Sequence, residues 1–95
     1  MEFEWDDTKA ASNLEKHKIR FEVTAKVFVD EHAVTIRDIR FDYGEERFIT
    51  YGQIDGRIYV VVFALDDERN VIRLISARKA NARERRRYGN DETHD

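Results

Sequence analysis

The stretch RFITYGQIDGRIYVVVFAL, Arg47–Leu65, decides the fold. At its centre stands Asp55–Gly56. That pair favours a two-residue type I′ turn, because such a turn needs positive φ at both positions. Arg47–Ile54 reads as one strand and Ile58–Leu65 as its return. The return strand, IYVVVFAL, is almost wholly apolar. A strand of that kind lies in the middle of a sheet, covered on both faces. It is far shorter than the ~20 residues a membrane helix takes, so no membrane partner is expected.

Working outward, DDERN at Asp66–Asn70 is a second turn, and Val71–Arg78 reads as the next strand. Ile72 and Leu74 fall on one of its faces, and Val71, Arg73 and Ile75 on the other. Upstream, DIRFDYGEE at Asp38–Glu46 is a polar connection, preceded by a strand over Ala33–Ile36. Before Asp30 the spacing turns helical. Asp6 or Asp7 caps a helix running to about His17, with Ala10, Leu14 and His17 on one face. A second helix fits Glu22–Val29, with Val23, Val27 and Phe28 facing inward. Phe3–Trp5 alternates apolar and charged residues and suits a short strand.

A last helix fits about Ala80–Tyr88. Its only apolar side chains are Ala80, Ala82 and Tyr88, so it has no stripe to bury. It is also too short to stand alone in water. Either the sheet end or a ligand must hold it. The class is therefore α+β: a small antiparallel sheet of about four strands, with two N-terminal helices packed on one face. A short basic C-terminal helix follows, and the other sheet face is free for a ligand. Residues 1–90 form one domain, and 91–95 are expected to be a disordered tail.

Composition agrees with a thin core. The chain has 95 residues, of which 39% are charged and 41% hydrophobic. Six Phe, four Tyr and one Trp supply large buried areas. The absence of cysteine excludes disulfides and thiolate zinc sites. His17, His32 and His94 are too scattered for a metal site, so neither metal nor cofactor is expected. The acidic start, MEFEWDD, lacks the basic region of a signal peptide, and a cytoplasmic protein is expected.

The charge is segregated. Arg78–Arg87 holds six bases and one acid, a local charge of +5, while the whole chain carries −3. Screening confines each charge to ~8 Å at physiological salt, so a basic patch can act beside an acidic remainder. Arg83, Arg86 and Arg87 share one side of the last helix and Arg85 lies away from them. Arg78 and Lys79 sit on opposite faces of the preceding strand. Guanidinium forks match phosphate oxygens, which makes this stretch a candidate phosphate-binding surface. A merely solvated helix is the competing reading.

Two further clusters carry possible chemistry. In KHKIRF, Lys16–Phe21, His17 stands near a helix end among cations and can transfer protons near neutral pH. A half-buried capping histidine would look the same. In GEER, Gly44–Arg47, Glu46 could act as a base and Arg47 as a phosphate clamp, although a surface ion pair fits equally well. Together the residues suit metal-free cleavage of RNA, which carries its own nucleophile in the 2′-hydroxyl. That reading expects Lys16, His17, Arg47 and Arg78 to meet in a single concavity. The alternative is a module that binds nucleic acid or an acidic partner without turnover.

From Phe3 to Tyr88 the chain resembles the BrnT family of bacterial type II toxins. The likeness rests on FEWD, NLEKH, EERF, VVVF and IRLISARKA followed by ERRRY, in that order and spacing. The resemblance implies a RelE-like ribonuclease fold and metal-independent endonucleolytic cleavage of RNA that stops translation. It also implies a BrnA-type antitoxin with a ribbon-helix-helix domain, and operator DNA bound only through that complex. Carried over, Lys16 and His17 match the family's Lys-His pair and Glu46 and Arg47 its Glu-Arg pair. Arg78 matches the arginine of its Ser-Ala-Arg segment. Arg85 and Tyr88, with Glu84 as the acid, match its C-terminal motif. These residues are the expected catalytic set (His17, Lys16, Glu46, Arg47, Arg78) and, with Lys79, Arg83 and Arg86, the expected RNA-binding set. Lys18 stands where the family often has glycine. An inactive toxin-like subunit of a DNA-binding complex is a further alternative.

Overall fold

The computed structural model describes the backbone of residues 2–93 and the side chains of residues 2–88. In chain order the elements are β1 (Glu2–Glu4), α1 (Asp7–His17), α2 (Phe21–Thr24), a 3₁₀ segment (Ala25–Val29), β2 (Val34–Asp38), β3 (Arg47–Ile54), β4 (Arg57–Asp66), β5 (Val71–Lys79) and α3 (Ala82–Thr93). The tail expected at 91–95 overlaps the end of α3 and otherwise lies outside the described residues.

The α+β class holds, with a sheet of five strands instead of about four, in the order β1-β5-β4-β3-β2. The added strand is β1, which pairs parallel to β5 with Phe3 opposite Ile72. The other pairings are antiparallel. β4 is central, as its apolar run requires. At the turn, Asp55 and Gly56 have φ of 50° and 80°, the positive values a type I′ turn needs.

One face of the sheet is covered by the N-terminal helices. Phe21, Val27, Val61, Phe63, Ile72, Leu74 and Ala77 form its core, with Trp5, Phe28 and Phe48 packed around them. The second helical stretch differs from expectation. It begins at Phe21 and tightens to 3₁₀ geometry, so inward residues recur every third position: Phe21, Thr24 and Val27 are buried. Val23, expected inside, is exposed for the same reason. Gly52 lets β3 approach this segment, since a Cβ there would lie 2.6 Å from Val27 Cβ.

α1 starts at Asp6, whose carboxylate accepts from the Thr8 and Lys9 N–H groups. It ends at Lys18, in the left-handed region at φ 60°, whose N–H donates to Leu14 O. Asn13 ties the helix to the sheet. Its Oδ1 accepts from Ala77 N–H at 3.0 Å, and its Nδ2 donates to the carbonyls of Ala77 and Ile19.

β5 carries an irregularity that matters below. Phe63 faces Leu74 and Val62 faces Ser76, leaving Ile75 as an extra residue. Strict alternation from Ile72 and Leu74 would turn Arg78 toward the helices. The bulge reverses the alternation: Ala77 enters the covered core, and Ser76 and Arg78 face the other way.

α3 is held by the sheet end. Asn81 and Glu84 cap each other's N–H groups at 2.9 Å. Ala80 and Tyr88 enter a second cluster with Ile49, Tyr51 and Val60 on the open face. The Tyr88 hydroxyl donates to Asp30 Oδ2 at 2.7 Å. Among the described residues no helix is long and apolar enough to cross a membrane.

Candidate active site

The open face of the sheet holds a concavity of about 420 Å³ between α3 and the start of the β2–β3 loop. Its floor comes from alternating inward positions of three strands: Ile36, Ile49, Tyr51, Val60 and Val62. Its rim carries Arg37, Arg40, Arg78 and Arg87 against Asp38 and Glu84, a net charge of +2. An apolar floor under a guanidinium rim suits a ligand with a flat apolar part and an anionic part.

Each acid of the rim is already engaged. Glu84 takes Arg78 in a two-bond fork, Nη1 to Oε1 and Nη2 to Oε2, both 2.7 Å. Hydrogen bonding to Arg78 holds the Glu84 carboxyl below its ordinary range. Asp38 is buried at the end of β2 and accepts from Arg40 Nε, Arg40 Nη2 and the Tyr43 hydroxyl. The Arg40 fork holds its carboxyl far below the usual range. Both carboxylates are therefore ionised at neutral pH, and their role is to orient arginines. Arg87 lies with its guanidinium carbon 5.5 Å from the centroid of the Tyr51 ring.

A second, smaller concavity of about 230 Å³ lies on the α1 side of β5, lined by Lys9, Ser12, Asn13, Lys16, His17, Ile75 and Ser76. Lys16 and His17 are both exposed there, so His17 is not the half-buried cap that its spacing allowed. Ser76, next to the bulge, lines both concavities.

The expected single meeting point of Lys16, His17, Arg47 and Arg78 is not what the structure shows. Arg78 stands in the large concavity and Lys16 with His17 in the small one. Arg47 shares the open face with Arg78 but sits at its far end, opposite Asp38 and Ala64. There it bonds Glu45 at 3.1 Å and lies over the Tyr43 ring at 4.1 Å. Glu45 also pairs with Arg73, and hydrogen bonds from Arg73 and then Arg47 lower its carboxyl. Glu46 is an exposed partner of Arg37 at 3.4 Å.

The expected RNA-binding residues divide similarly. Arg83 and Arg86 are exposed on α3 outside the large concavity. Lys79 and Arg85 line a separate hollow beside the hairpin turn, with Arg85 donating to Ala80 O. Tyr88 is 3% exposed and serves as the clasp of α3. Arg87, grouped with Arg83 and Arg86 by helical spacing, is the member that reaches the site. Asp38, Arg40 and Tyr51 were not singled out by spacing. The signal for Tyr51 was present, since Ile49 and Tyr51 alternate with the residues of the covered face. The signal for Asp38 was hidden in a polar loop.

Among the described residues no group of three His, Cys, Asp or Glu side chains stands close enough to hold a metal ion. The family model described as a ribonuclease toxin, BrnT, of type II toxin–antitoxin systems matches residues 5–84 of the chain. A search of curated proteins finds no match.

Proposed function

The chain belongs to the BrnT family of ribonuclease toxins of type II toxin–antitoxin systems, and from that premise we propose that it is a metal-independent endoribonuclease whose site spans the two concavities that Ser76 lines. The observation that carries this reading is the arginine-rimmed concavity over an apolar floor. Arg78 and Arg87 take the scissile phosphate there. The RNA strand crosses β5 at Ser76 and meets Lys16 and His17 on the other side.

The chemistry needs no outside nucleophile. A base takes the proton of the 2′-hydroxyl, O2′ bonds to phosphorus, and the phosphorus–O5′ bond breaks. The products are a 2′,3′-cyclic phosphate and a 5′-hydroxyl, whose oxygen takes a proton from an acid. His17 transfers the proton, and the guanidinium of Arg78 meets the charge that grows on the phosphorane oxygens. Glu84 and Asp38 are ionised at neutral pH and paired, which leaves the proton work to His17. Glu46 and Arg47, at the far end of the face, serve the incoming strand and not the reacting phosphate. Lys79, Arg83, Arg85 and Arg86 add long-range attraction for the polyanion.

The partner in this reading is a BrnA-type ribbon-helix-helix antitoxin, whose complex binds operator DNA, and the place of action is the cytoplasm. Acidic side chains of such a partner suit the same arginine rim. The test is cleavage of labelled RNA by the purified protein in excess EDTA. Cleavage persists in the chelator, and Arg78→Ala lowers it by about 10²–10³, the usual loss when one transition-state donor is removed. His17→Ala lowers it at least as far. Binding of RNA without cleavage would leave a non-catalytic module, and activity lost to EDTA would remove the metal-free mechanism.

A further inference from the structure

The β2–β3 loop, residues 39–46, carries two apolar side chains that the interior does not use. Ile39 is 80% and Phe41 71% exposed. The loop is nonetheless held firmly. Buried Asp38 at its root accepts from the Arg40 N–H, from Arg40 Nε and Nη2, and from the Tyr43 hydroxyl at 3.1 Å. Asp42 accepts from the Gly44 N–H.

Upon that base stands a short stack. The Arg47 guanidinium lies over the Tyr43 ring at 4.1 Å. The Tyr43 and Phe41 rings meet edge to face, with centroids 5.8 Å apart. The stack ends in Phe41, which is open to solvent. The same loop forms one wall of the arginine concavity through Ile39 and Arg40.

We propose that Phe41 is a stacking platform for an unpaired base of the RNA whose phosphates lie on Arg78 and Arg87. The inference rests on the ribonuclease reading and adds to it a base subsite. Charge admits an anionic ligand at this loop because the loop's own acids are engaged. Glu45 is bonded to Arg47 and Arg73, Glu46 to Arg37, and Asp42 to the Gly44 N–H. With Arg37 set against Glu46, Asp42 keeping its charge, and Arg47 and Arg73 set against Glu45, loop and concavity together carry a net charge of +1. A nucleotide matches both parts, since its phosphate fits the guanidinium rim while its base offers a flat π-face to a bare ring. The stack is ordered before the ligand arrives, so little side-chain freedom remains to be lost. Stacking reads no base edge, and the subsite favours single strands without a strong sequence preference.

The test uses two probes, a 2′-O-methyl oligoribonucleotide of mixed sequence, which cannot be cleaved, and an abasic oligonucleotide of the same length. Binding is read by fluorescence anisotropy at low and high salt. Phe41→Ala weakens the base-containing probe about tenfold, the order expected for one stacked base, and by the same factor at both salts. It leaves the abasic probe unchanged. Phe41→Trp keeps the affinity, and its fluorescence is quenched on binding. Arg87→Ala acts differently, lowering the salt slope on both probes. Thermal melts confirm that each exposed-site variant is folded. Phe41→Ala binding like the parent, or losing equally on the abasic probe, overturns the platform while parental RNA cleavage keeps the ribonuclease reading. A loss seen only in affinity for a protein partner assigns the loop to that partner and also overturns it. A parent chain that neither binds nor cleaves RNA removes both readings.

Discussion

The two faces of this sheet are made by the same strands, often by adjacent residues, and they behave as two different materials. On the covered face Val61, Phe63, Leu74 and Ala77 are closed over by Phe21, Val27 and Phe28, with ring pairs such as Phe28–Phe63 at 5.0 Å. On the open face Ile49, Val60 and Val62 form a strip that α3 roofs at one end only. The covered face is mostly apolar, with its buried Asn13, Thr24 and Thr50 hydrogen-bonded, and it carries stability. The open face keeps an apolar floor but places charge around it, so stability is exchanged for a surface that can hold an anion. Most of the N-terminal helical layer thus serves the fold, while α3, rich in arginine, and the end of α1, with Lys16 and His17, serve both fold and proposed site.

The covered face is most sensitive at Phe21, which is fully buried against Trp5. Phe21→Ala should cost about 3–5 kcal/mol, a large share of a small domain's stability, measurable by urea unfolding. A sharper contrast comes from two neighbours of one type. Val61→Thr places a hydroxyl in the covered core and should cost about 1–3 kcal/mol, while Val62→Thr at the concavity should cost under about 0.5 kcal/mol. Equal costs would mean that the open face is as dry as the covered one.

Acid should weaken the open face first. The folded carboxyls of Asp38 and Glu84 lie below their ordinary values of 3.8 and 4.5. The unfolded chain therefore takes up protons before the folded one does. Their stabilisation is complete above about pH 4.5 and is lost as pH falls through the folded values. Asp38→Asn should flatten the acid limb of a plot of melting temperature against pH. One substitution should bring a gain. Lys18 holds a left-handed conformation at the end of α1. Lys18→Gly should raise stability by about 1 kcal/mol, read as a shift in the denaturant midpoint, with RNA cleavage unchanged.

Local signals in the sequence reached part of this. Asp55–Gly56 fixed the hairpin, and the run Ile58–Leu65 fixed the central strand, because both are short-range effects of φ preference and burial. The left-handed strain at Lys18 was also visible, as a departure from the glycine usual in the family. The phase of the second helical stretch was not, because a spacing of three at Phe21, Thr24 and Val27 competes with a spacing of four through Val23. The family resemblance named Arg78, but its place on the open face depends on pairing with β4. Helical spacing marked Arg87 only as one of three, and Asp38 and Phe41 have no local mark at all, since what distinguishes them is the company brought by strands β2, β3 and β4.

The extra residue at Ile75 has a consequence for how this protein can change. What sets the direction of Arg78 is a count along the chain, not the identity of any side chain. Adding one residue between Ile75 and Ser76 would leave composition and charge nearly as they were, yet reverse the face that each following residue of the strand meets. The arginine would then be turned toward the helices and Ala77 out to the open face. Point substitutions can tune such a site gradually, whereas a single-codon insertion would erase it in one step.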